Sequence, residues 1–79
     1  MELEELIINF KENVNRFCII SYKDKDSKKK FVRRGVLNSV LDSGFISIKH
    51  ITKEINWNFN LKEIEIISYT FEPIKRVDR

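Results

Sequence analysis

Lys29-Lys30-Phe31-Val32-Arg33-Arg34-Gly35-Val36-Leu37-Asn38-Ser39-Val40-Leu41-Asp42-Ser43-Gly44-Phe45-Ile46-Ser47-Ile48-Lys49-His50 decides the fold. It reads as a long strand, a tight turn at Asp42-Ser43-Gly44, and a second strand running back. Both glycines of the chain lie inside it. Gly44 follows Asp-Ser, where a turn calls for a residue that tolerates positive φ. Gly35 interrupts a strand pattern, which marks a bulge, a sharp bend or the close approach of another backbone. A long strand bent at a glycine is how a small sheet curls into a barrel.

Before this hairpin, Leu3, Leu6, Ile7, Phe10 and Val14 follow the spacing of one helical face. Glutamates sit in the first turn, where they complement the helix dipole, and Asn13 and Asn15 suit a helix end. The spacing predicts a helix over residues 1–15. Arg16 to Tyr22 is a β-rich run with apolar residues on both faces, and Lys23 to Lys30 is a charged hairpin tip without aliphatic content.

After the hairpin, Ile51, Lys53, Ile55, Trp57 and Phe59 alternate with polar residues, the period of a half-buried strand over 51–60. Lys53 is then a charge on an apolar face, a device that protects an edge strand. Asn60 to Ile64 reads as one tight helical turn. Glu65 to Phe71 resumes as a final strand, with Ile64 and Ile66 on one face and Ile67, Tyr69 and Phe71 on the other. Pro73 ends it, because proline cannot donate to a ladder.

The expected architecture is mainly β: an N-terminal helix (1–15), then a five-stranded, strongly bent antiparallel small barrel (16–71) and a basic tail (72–79). No second helix is available for a parallel crossover, so the sheet must be antiparallel. Seventy-nine residues make a single domain, one that buries only about 60% of its unfolded surface.

The order helix–five strands, with Gly35-Val36-Leu37 in the bent second strand, resembles the Sm-like family (Sm, Lsm and bacterial host-factor proteins). Leu61-Lys62-Glu63-Ile64-Glu65-Ile66-Ile67 fits the family's tight turn into the closing strand, and equally resembles the C-terminal barrel of the bacterial ribosome maturation factor. The resemblance covers residues 1 to about 71. It implies an Sm-like barrel able to form rings, in which the fourth strand pairs with the fifth of a neighbour. The family's RNA-binding signature is missing. Leu41 stands where its aspartate would fall, Asp42 comes one residue late, and Leu61-Lys62-Glu63 replaces its second motif. The uridine pocket therefore does not carry over.

Charge is the strongest functional signal. Residues 1–15 hold Glu2, Glu4, Glu5 and Glu12 against Lys11, a net of −3. Residues 23–34 hold five lysines and two arginines against Asp24 and Asp26, a net of +5. Lys23, Lys25, Lys28, Lys29, Lys30 and Arg34 are the candidate phosphate-binding residues, for RNA or another nucleic acid. Arg33 and Arg34 point to opposite faces of a strand, so only one joins the patch. The competing reading is a solvated hairpin tip. Trp57 and Phe59 share a strand face and are either a stacking platform for bases or barrel core. Tyr22 and Tyr69 could stack on no better warrant. An acidic helix set against a basic hairpin of a second copy would also suit a homo-oligomer.

Catalysis finds no support. His50 and Cys18 are the chain's one histidine and one cysteine, they lie on separate strands, and no carboxylates cluster beside them. Cys18 between Phe17 and Ile19 reads as a buried small hydrophobe, and His50 as a surface polar residue. No metal-ligand spacing or phosphate-binding glycine loop occurs, so no cofactor is expected. A single cysteine, an acidic start and the lack of a bilayer-length apolar run lead to the expectation of a reducing, cytoplasmic setting without a membrane role.

Overall fold

A computed structural model of the protein describes residues 2–72. The basic tail expected over 72–79 lies outside the described residues, apart from Glu72. Helix α1 spans Leu3–Lys11 and buries Leu6, Ile7 and Phe10, the predicted stripe. It stops short of residue 15 because Asn13 folds back, its side-chain amide donating to the Asn9 carbonyl at 2.7 Å. Asn15 then takes a left-handed conformation (φ 76°), which asparagine tolerates better than most residues. Val14 lies past the helix end, half-buried against the core.

Five strands follow: β1 Phe17–Asp24, β2 Lys30–Val40, β3 Phe45–Lys49, β4 Asn56–Asn60 and β5 Ile64–Phe71. They form one antiparallel sheet in the order β4-β3-β2-β1-β5. Cys18, Ile20 and Tyr22 of β1 are buried on its inner face, together with Leu37, Ile46 and Ile48. Phe17 and Ile19 on the outer face are only half-buried, and no second layer covers them among the described residues.

The sheet curls. Tyr22 on β1 and Phe59 on β4 stack with ring centroids 4.5 Å apart. Those strands are three places apart in the sheet, so a flat sheet would separate them by about 14 Å. Gly35 permits the fold-over by close approach. A Cβ there would collide with the Lys49 carbonyl oxygen and come within 3.0 Å of Ile48 Cγ2. The β2 bulge falls elsewhere, at Asn38, which the β2–β3 register skips. Gly44 behaves as the turn predicts, with φ 95°. Its carbonyl accepts from the Leu61 amide at 2.8 Å, tying the β2–β3 turn to the 3-10 turn Leu61–Glu63.

Besides the helix end, three expectations need correction. First, the curl does not close into a barrel: among the described residues β4 and β5 are free edges with no ladder between them. Second, the strand expected over 51–60 begins only at Asn56. His50 takes the preceding segment out of the sheet, because its Nδ1 accepts from the amides of Thr52 and Lys53, both at 3.1 Å. The His50 amide also donates to the Ile55 carbonyl at 2.9 Å, closing a loop. Ile51, Lys53 and Ile55 are consequently exposed, and Lys53 guards no strand. Third, Ile67 does not share a face with Tyr69 and Phe71. It is the residue skipped between the Ser21–Ser68 and Tyr22–Ile66 pairs, and it is 51% exposed. A bulge reverses strand parity, so Ile64, Ile66, Tyr69 and Phe71 all turn inward, packed in or against the core.

Candidate nucleic-acid interface

Strand alternation and register sort the cations. Phe31, Arg33, Gly35 and Leu37 turn inward on β2, which sends Lys30, Val32, Arg34 and Val36 outward. Lys30 lies opposite Lys23, and Arg34 opposite Ile19. Lys49 on β3 lies opposite Val36 and extends the same outer face. Sequence reasoning missed Lys49, since its neighbours become visible only through the register.

These cations are not equally free. Lys23 Nζ sits 3.8 Å from Glu65 Oε1, and Lys25 Nζ donates to the Lys62 carbonyl at 3.0 Å. At the tip, Lys28 takes φ 66° and its amide donates to the Asp24 carbonyl at 2.9 Å. The Asp24 carboxylate accepts from the Asp26 amide at 2.9 Å. Among the described residues neither aspartate pairs with a lysine, and Lys28, Lys29, Lys30, Arg34 and Lys49 have no side-chain partner. The second ion pair joins Lys11 to Asp42, away from the tip.

Trp57 and Phe59 belong to the inner face, opposite the lysine row. Phe59 stacks on Tyr22 and is core. Trp57 is half-buried, with the Arg33 guanidinium carbon 5.3 Å from its ring centroid and His50 tilted against it at 5.4 Å. Arg33 also lies 4.8 Å from the Phe31 centroid. Its Nε is buried without a hydrogen-bond partner. Tyr69 receives a hydrogen bond from Asn9 Nδ2 at 2.8 Å and packs on Phe10.

Cys18 is fully buried, and burial pushes its thiol up to about 11, far from a reactive thiolate. Among the described residues no three His, Cys, Asp or Glu side chains gather as a metal site, and no helix is long and apolar enough to cross a membrane. A hollow of about 470 Å³ lies between α1 and β5, where Lys25 and Lys62 meet Leu3, Leu61 and Ile66. Comparison with protein-family models, curated proteins and solved structures finds no match.

Proposed function

We propose that this chain is a non-catalytic nucleic-acid-binding module, for RNA, built on a divergent Sm-like sheet. The observation that carries the reading is the set Lys28, Lys29, Lys30 and Arg34, exposed along the tip and outer face without acidic partners among the described residues. Such a row neutralises phosphates whatever the base sequence, and affinity then falls steeply with salt through counterion release. Four phosphate contacts to a single strand predict roughly fifty-fold weaker binding at about 200 mM than at about 50 mM salt. Fluorescence anisotropy with a labelled single-stranded RNA tests this. Lys28, Lys29 and Lys30 changed together to glutamine should remove most of the salt dependence. Binding that ignores salt, or survives that change intact, defeats the assignment.

A second reading, a homo-oligomeric assembly module, is favoured by the two open edges. Ile55, beside β4, is 42% exposed, and Ile67 lies exposed within β5. An unpaired edge is a template for another strand. Light scattering at low and high salt distinguishes a monomer from a ring, and absorbance of the same peak shows whether nucleic acid accompanies it.

A further inference from the structure

Arg33 is the residue that the fold does not account for. Its guanidinium carries five N–H donors, yet it makes no hydrogen bond or ion pair to any described residue, and its Nε is sealed from solvent. An unpaired donor in such a place costs stability. The inward position could have held an aliphatic residue, as Leu37 does further along β2. Instead the guanidinium rests against Phe31 and Trp57, and none of its N–H groups bonds to a described residue. A cation held this way offers an oxyanion a planar fork, and half-buried Trp57 beside it offers a π surface.

Building on the nucleic-acid reading, we propose that Arg33, Phe31 and Trp57 form a nucleotide subsite. The guanidinium takes a phosphate, and the base stacks on the Trp57 side of the cluster. Two features favour a nucleotide over a protein carboxylate. The cluster presents aromatic surface that a lone carboxylate would not use. It also begins next to the basic tip, since Phe31 and Arg33 follow Lys30 on β2, with their side chains on the inner face and that of Lys30 on the outer. A strand of RNA held at the tip by Lys28 and Lys29 therefore reaches Arg33 by turning over the tip onto the inner face, away from Lys30 and Arg34.

Trp57 is the chain's one tryptophan, so its fluorescence reports the subsite directly. The full chain is titrated separately with uridine monophosphate, adenosine monophosphate, uridine, inorganic phosphate, a glutamate-rich peptide and a single-stranded RNA. Nucleotides should quench Trp57 saturably, with uridine and inorganic phosphate each at least tenfold weaker. Arg33→Gln should weaken nucleotide binding at least tenfold, while Arg33→Met should leave Tm unchanged or raise it. Quenching by the acidic peptide and not by nucleotides overturns the proposal in favour of a protein partner. A lowered Tm in Arg33→Met with nucleotide binding intact marks Arg33 as a structural residue and also overturns it. RNA binding with full salt dependence but unchanged Trp57 emission defeats the subsite and spares the module. No RNA binding at low salt defeats the module, and the subsite with it.

Discussion

The inner face of the sheet carries two aromatic clusters, and they are finished differently. Beneath α1, Phe10 is fully buried against Tyr69 and Phe71, with ring centroids 5.0 and 5.1 Å away. The polar group at that cluster, the Tyr69 hydroxyl, is engaged by Asn9. Toward the basic hairpin, Tyr22, Phe31, Phe59 and Trp57 form the second cluster, and there the buried Arg33 Nε has no hydrogen-bond partner among the described residues. One cluster is closed by α1, which supplies its missing wall; among the described residues the other, where the proposed subsite lies, has no such cover. The chain even carries a separate probe for each, since Cys18 pairs across to Phe71 and Trp57 touches Arg33.

Breaking the closed cluster has the largest expected effect. Phe10→Ala should cost about 4 kcal/mol, read from urea unfolding, because a fully buried ring is lost from beneath a helix that cannot collapse onto the sheet. Nucleotide quenching of Trp57 should survive in whatever fraction remains folded. Gly35→Ala strikes the point where the two halves fold over one another. Its methyl meets the Lys49 backbone, which cannot yield as a flexible side chain would, and a loss of about 3 kcal/mol is expected.

Alkali should loosen the closed side next. The Cys18 thiol ordinarily ionises near 9.0, and burial raises it to about 11. Between those values the unfolded chain gives up this proton and the folded chain keeps it. Stability is therefore unaffected below pH 9, falls as pH rises to about 11 and then levels off, by about 2–3 kcal/mol in all. Urea midpoints against pH, for the natural chain and Cys18→Ala, isolate the contribution. A thiol reagent near pH 8 should leave Cys18 unlabelled until denaturant is added, while acrylamide should quench half-buried Trp57 in the native state.

The smallest effect belongs to His50. Replacing it by alanine removes the acceptor of two amides in an exposed loop, worth about 1 kcal/mol. Hydrogen exchange should accelerate at Thr52 and Lys53 and not in β1. If the β3–β4 loop also orders Trp57, nucleotide affinity should fall in parallel.

Much of this was legible in the chain. The helical stripe, the Gly44 turn, the 3-10 turn and the antiparallel order follow from local periodicity and from residues with special backbone freedom. The unbalanced lysines of the tip were equally plain. Ile67 was misread because a bulge changes parity without leaving a mark in composition. The 51–60 strand was overextended because an alternating pattern persists through residues that His50 bonds into a loop. Arg33 could be assigned to the face opposite Arg34, but not to a place against Trp57, which lies two strands away on β4.

By itself, then, the amino-acid sequence determined one helix, five strands and a basic tip, since each depends on neighbours within a few residues. The rest came from the tertiary structure: among the described residues the sheet stays open, Lys49 joins the outer cations, and Arg33 stands among aromatic rings without a hydrogen-bond partner. Those outcomes depend on how far the sheet curls. Curl is set by close approach at Gly35 and by register between strands, and neither is a property of any single stretch of chain.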